Sequence, residues 1–315
     1  MLTSSGKAKH FLILSAKLIV VAGAFYFIYS QLADNDKLDW RGFSGKFEKN
    51  KSIGGIALIL LLSFLNRYFE ILKWQNLVSS FRKISVAEAS KQVLAALTAG
   101  IFTPNGIGEY GAKALYFAKA EAKRIVLLNL ISNGIQMLLS VIFGLFGLFY
   151  FNAYYPIMSL RLIAIGFACL LVLLVALLLT RKVVVKGYSL RKLMLKVNAL
   201  PKNIHRKNIL LAMGRYLVFS HQYYFLFRAF DVDVPYLLLM ATVCCVYFLA
   251  SSLPTFQFLD FAVKGSVAVY FFGILGVNEW IVIFVATLMW FLNVVLPVIV
   301  GSYFVLNYKT QWKQS

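Results

Sequence analysis

Apolar and polar positions fall in long blocks along this chain. The stretches 11–29, 53–78, 125–150, 162–180, 209–230 and 280–306 are apolar. Each is long enough to cross a ~30 Å hydrocarbon core as a helix. Two further apolar stretches are interrupted. Legs 86–102 and 110–120 flank Thr103-Pro104-Asn105-Gly106-Ile107-Gly108-Glu109, and legs 235–252 and 258–276 flank Leu253-Pro254-Thr255. A proline with glycines stops a helix, and Gly108-Glu109 restarts one with an acid in its first turn. Ser85-Val86-Ala87-Glu88 has the capping-box pattern that opens the first leg. Counted from its restart, the second leg is about fourteen residues and reaches only ~21 Å, short of a full crossing, and so predicts a re-entrant hairpin. At membrane depth such a break is tolerated where it lines a cavity or is buried in protein, and a restarted helix turns unpaired N–H groups toward that space. The pattern therefore predicts an all-α polytopic membrane protein with six spans and two broken-helix hairpins.

Composition agrees: 61% of the 315 residues are hydrophobic and 16% aromatic, with a mean hydropathy of +0.77. A net charge of +20 raises the question of nucleic acid. The basic residues cluster beside apolar spans, however, and every Asp and Glu lies at or before Glu121 or at or after Asp231. Cytoplasmic loops and anionic lipid headgroups account for that distribution, with no nucleic-acid partner. With both termini cytoplasmic, Arg82-Lys83, Lys119 to Arg124, the 181–207 loop and the C-terminus fall on one side. The mixed loop 33–52, the uncharged 151–159 turn and Asp231/Asp233 fall on the other. The cell inner (plasma) membrane is the expected location. Cys169, Cys244 and Cys245 sit inside apolar runs without metal or disulfide spacing. No metal or cofactor motif is present.

The chain reads as a single membrane domain, 1–315, built from a first half (1–155) and an inverted second half (156–315). Pro104 and Pro254 are matched across the halves, as are Arg67-Tyr68 and Arg215-Tyr216, and Glu109/Lys113 matches Asp260/Lys264. Three spans per half, an odd number, place the second half upside down. Arg67, Glu109, Lys113, Arg215, Asp260 and Lys264 are ionisable groups at or near membrane depth, where charge is functional by default. They fit a polar cavity in which Arg and Lys hold an anionic headgroup, with Asn105, Gly106 and Gly108 letting backbone approach it. They also fit mutual neutralisation of each acid–lysine pair, and snorkelling of the two arginines to an interface. Asn129, Asn133, Gln136 and Asn293 are placed along the path, Gly144 and Gly147 at a close helix contact, and His221 in packed core.

The stretch from Thr103 to Glu109 followed by Lys113, together with Pro254 to Lys264, resembles the lysylphosphatidylglycerol synthase transmembrane-region family. That family is flippase-like and forms the membrane half of bacterial multiple-peptide-resistance factors. The resemblance covers nearly the whole chain. In the second stretch Thr255-Phe256-Gln257-Phe258-Leu259 stand where the family has glycines. The soluble aminoacyl-transferase half of the bifunctional members has no counterpart in these 315 residues. The resemblance implies a translocator of an anionic or aminoacylated phospholipid or a lipid-linked headgroup, not an enzyme. Its partners would be membrane phospholipids or lipid-linked intermediates and a separate lipid-modifying enzyme. The residues leave two rivals open: an integral-membrane enzyme with Glu109 or Asp260 as general base, and an ion-coupled transporter of a small anion.

Overall fold

The computed structural model describes residues 52–101, 103, 106–159, 161–162, 165–166, 168, 172, 175–176, 179, 189–252 and 260–308. The expected first span and nearly all of the 33–52 loop lie outside them, as do most positions of the expected fourth span and the break at Leu253-Pro254-Thr255. Among the described residues every regular element is a helix. They are α1 (Ile53–Val78), α2 (Val86–Gly100), α3 (Gly108–Ala114), α4 (Ala122–Tyr154), α5 (Leu190–Asn198), α6 (Lys202–Ala229), α7 (Tyr236–Ser252), α8 (Asp260–Ile274), α9 (Glu279–Trp290) and α10 (Leu296–Leu306). A 3₁₀ turn, Lys119–Glu121, leads into α4, and a π turn, Phe291–Val295, joins α9 to α10.

Local chemistry sets the helix starts. Ser52, Ser85, Ser189 and Asn278 each turn a side-chain oxygen onto an otherwise orphaned N–H of the first turn. Only half of the expected capping box forms. The Ser85 hydroxyl accepts from the Glu88 N–H at 3.1 Å, whereas the Glu88 carboxylate pairs with Arg82 at 3.4 Å. The first hairpin is shorter than the sequence predicts. Its second helical leg is the seven residues of α3, which span only ~10 Å. The reason is a run of tight turns at the C-terminal end, where the N–H groups of Tyr116 and Phe117 reach back to the carbonyls of Lys113 and Ala114.

Among the described residues three stretches are long and apolar enough to cross a membrane: Ile53–Val78, Lys119–Tyr154 and Glu279–Leu306. Helix α6, which covers the expected fifth span, is 28 residues long but carries many polar side chains and does not meet that standard. It lies along α1 instead. Helix α2 packs on α10 and α7 packs on α4. Both contacts are close because glycine leaves room. A Cβ on Gly144 would stand 2.2 Å from the Cβ of Phe248, and one on Gly301 would stand 2.2 Å from the Leu94 carbonyl oxygen. The first close contact is the one expected at Gly144 and Gly147; the second has no counterpart in the sequence reading. Apolar side chains gather in one cluster dominated by α6, α7, α8 and α9, and another on α1, α2 and α4. Large apolar side chains also face outward on α1 and α4, with Phe64 63% and Phe146 71% exposed, as lipid-facing surfaces require.

Candidate functional site

Helix α1 carries a polar stripe at helical spacing, Asn66, Glu70 and Lys73, with Arg67 beside it. Packing α1 along α6 brings this stripe against Arg215. The Arg215 guanidinium donates through Nη1 to the Glu70 carboxylate at 2.7 Å and through Nε to Asn66 Oδ1 at 3.1 Å. Lys73 Nζ donates to the same Glu70 oxygen at 3.1 Å. From Asn66 a chain of amides continues. Its Nδ2 donates to Asn293 Oδ1 at 2.6 Å, Asn293 Nδ2 donates to Gln222 Oε1 at 3.0 Å, and Gln222 Nε2 donates to the Ile59 carbonyl at 3.1 Å. Asn293 sits in the π turn, a wider helical form common at functional positions. Its backbone carbonyl accepts from Arg67 Nη2. The Nε of Arg67 is buried and has no partner among the described residues.

These groups face a cavity of about 290 Å³. Its charged lining is Arg67, Glu70, Glu109, Arg215 and Lys264, and its amide lining is Asn66, Asn133, Gln136 and Asn293. Tyr247 also lines it, and the Lys264 ammonium lies 5.1 Å from the centre of the Tyr247 ring. Lys73 and Lys113 stand directly behind, bridged to Glu70 and Glu109 respectively. Among the described residues the lining and this second layer therefore hold five cations and two carboxylates. That balance, in a site walled by apolar helices, favours an anion.

The sequence candidates divide. Arg67, Glu109, Arg215 and Lys264 come together on one cavity, from four different helices. The two arginines do not snorkel outward; each is held mid-helix by partners on another element. Lys113 is brought close but turned away. It is buried, donates to Asn129 Oδ1 at 2.6 Å, lies 4.7 Å from the Trp74 ring centre, and stands 4.0 Å from Glu109. Asn129 is thus the anchor of Lys113 and is not part of the cavity lining, while Asn133, Gln136 and Asn293 are.

Gly106 and Gly108 also serve purposes other than the one expected. Gly106 adopts φ +67°, which glycine reaches without strain and which closes the turn. The Gly108 N–H is already taken by the Thr103 hydroxyl at 2.8 Å, and the N–H groups of Glu109 and Tyr110 return to the carbonyls of Gly106 and Ile107. The first three N–H groups of α3 are thus engaged within the turn. A Cβ on Gly108 would stand 3.0 Å from the Ala99 carbonyl oxygen, so its smallness is used for packing. Pro104, Asn105 and Pro254 lie outside the described residues, as does the side chain of Asp260. His221 is not a packed core residue: it is partly exposed and bonds Tyr236 Oη at 2.8 Å.

Glu70, Lys73, Asn66 and Gln222 are central here and were not among the sequence candidates. Their signal was available in the polar stripe on α1, because ionisable residues one turn apart in an apolar helix face protein or water, not lipid. Among the described residues no group of His, Cys, Asp and Glu is arranged to hold a metal. No protein-family model matches this chain, and no curated protein matches it either. What stands, among the described residues, is a helical fold with three helices long and apolar enough to cross a membrane and a charged cavity.

Proposed function

We propose that this chain is a lipid-headgroup translocase of the bacterial inner membrane. The cavity takes the headgroup of an anionic or aminoacylated phospholipid, or of a lipid-linked intermediate, while the acyl tails stay in surrounding lipid. One observation carries the reading: the Arg67 guanidinium lines a polar cavity at the middle of a membrane-length helix and keeps a buried N–H without a partner. A buried orphan donor on a cation is costly unless a ligand acceptor completes it. The volume of about 290 Å³ lies at the small end of ligand cavities, roughly 300–1,000 Å³, so it suits a headgroup and excludes the tails.

The inverted repeat is part of the proposal and has independent support. Helix α1 packs on its counterpart α6, and the pairing of α2 with α10 is mirrored by that of α7 with α4. Exchanging the two halves maps this set of contacts onto itself. The motif resemblance to the lysylphosphatidylglycerol synthase transmembrane region, the six-span count and the cytoplasmic placement of both termini belong to the same reading. A separate lipid-modifying enzyme would supply or consume the moved lipid.

Mechanistically, Arg67 and Arg215 offer planar forks suited to a phosphodiester, and Lys264 offers a third cation from the opposite wall. Glu70 holds Arg215 in place when no anion is present, and the Asn66–Asn293–Gln222 chain ties both guanidinium groups to the π turn. The test is proteoliposomes carrying headgroup-labelled phosphatidylglycerol, with an impermeant quencher reading the outer leaflet. The full chain should expose the inner-leaflet label, Arg67→Ala should slow this roughly tenfold or more, and Arg67→Lys should restore part of it. The lipid mass should be unchanged throughout, which separates movement from chemistry. Equal rates for wild type and Arg67→Ala would sink the proposal.

A further inference from the structure

A second pocket, of about 320 Å³, lies at one end of the molecule and is distinct from the charged cavity. Its walls are Gln75, Asn76 and Ser79 at the close of α1, Lys83 and Ile84 in the following turn, and Lys207 near the start of α6. The polar walls are already braced. Gln75 Nε2 donates to the Ile84 carbonyl, Asn76 Nδ2 to the Ile204 carbonyl, and the Ser79 hydroxyl to the Asn76 carbonyl. What remains to meet a ligand is the pair of ammonium groups. Both lysines are exposed, and neither has an acidic partner among the described residues. The one acid near this turn, Glu88, is engaged by Arg82.

Beside the pocket lies α5, whose sequence Leu190–Asn198 carries Arg191, Lys192 and Lys196 among apolar residues. Val197 and the following Leu200 pack inward on the cluster that includes Ile84 and Ile204, and His205 bonds the Val197 carbonyl at 2.9 Å. Met194 and Leu195 are left 42% and 60% exposed. An amphipathic basic helix with exposed apolar residues is built to lie in a headgroup layer. The level is right as well. Helix α1 is long and apolar enough to span, so a pocket on its last turns sits where a span meets the headgroups. Charge complementarity points the same way, because the chain has no acid at all between Glu121 and Asp231.

We propose that the Lys83–Lys207 pocket is a second, peripheral site for the phosphate of an anionic phospholipid in the adjacent leaflet, with α5 lying on that leaflet beside it. The occupant is a lipid already in the plane of the membrane. Its phosphodiester sits between the two ammonium groups, and its chains run down the outside of α1. The site shares no residue with the central cavity, so it does not depend on the translocase reading.

The test is a lysine-acetylation footprint on the full chain in nanodiscs. In phosphatidylcholine alone Lys83 and Lys207 should label readily. Adding phosphatidylglycerol should slow labelling of both several-fold, and Arg67→Ala should leave that protection intact. Inorganic phosphate added to phosphatidylcholine discs should give no such protection; equal protection by phosphate would overturn the assignment to a lipid. Unchanged labelling of both lysines in phosphatidylglycerol would overturn the site altogether. A second arm uses native mass spectrometry. Lys83→Gln with Lys207→Gln should weaken phosphatidylglycerol retention roughly thirty-fold, at about fivefold per lysine near the surface, and the paired change to Arg should retain it. Retention equal to wild type in the Gln variant would count against the proposal.

Discussion

The pairs Glu109/Lys113 and Asp260/Lys264 share one spacing along the chain, yet their lysines meet opposite fates. Lys113 is sealed against Trp74 and Asn129, behind the cavity wall. Lys264 lines the cavity itself, above the ring of Tyr247. The nearby glycines differ in the same sense. Around Gly108 the first hairpin is closed by Thr103 and the Ala99 carbonyl, whereas on α8 a Cβ at Gly265 would meet only Ala286 at an ordinary 3.9 Å. Gly108 and Lys113 are tightly packed, whereas Lys264 faces the cavity. Equal spacing along the chain therefore does not fix equal roles, because the neighbouring helix decides what each lysine faces.

The strongest way to break this contrast is at Lys113. Lys113→Ala removes a long buried stem and a hydrogen bond, and should cost about 3 kcal/mol of stability, read as a fall in the detergent-solubilised melting temperature. Lys113→Met should recover part of that loss by refilling the stem's volume. If Lys113→Ala melts like wild type while losing lipid binding, the lysine works in the cavity and the contrast fails.

A smaller effect is expected at the glycines. Gly108→Ala forces Thr103 and the Ala99 carbonyl to shift, and should lower stability by about 1–2 kcal/mol. Gly265→Ala should stay within about 0.5 kcal/mol of wild type, since the site has room and alanine favours the helix. Calorimetry or a thermal melt of the two variants side by side decides it, and equal losses would mean the second hairpin is packed as tightly as the first.

The mildest change is Lys264→Ala. Partly exposed, it should leave the melting temperature nearly unchanged while weakening binding of a short-chain anionic lipid roughly tenfold. A large drop in stability instead would place Lys264 with Lys113 as a structural lysine.

Much of this molecule was legible in its amino-acid order. Blocks of apolar residues located the long helices, since only a helix satisfies its own backbone in lipid. Gly144 marked a contact that needs a missing side chain. Arg67 and Arg215 stood out because charge inside an apolar run demands a polar setting. Other features depended on which helices became neighbours. Glu70 becomes a hub because α6 delivers Arg215 to it, and Asn293 does so because the π turn brings its carbonyl to Arg67 and its amide to Asn66 and Gln222. Lys113 left the cavity because α4 supplied Asn129 and α1 supplied Trp74 on the far side. Periodicity reports which side of a helix is polar; the partner that side meets is settled only when helices distant in sequence pack together.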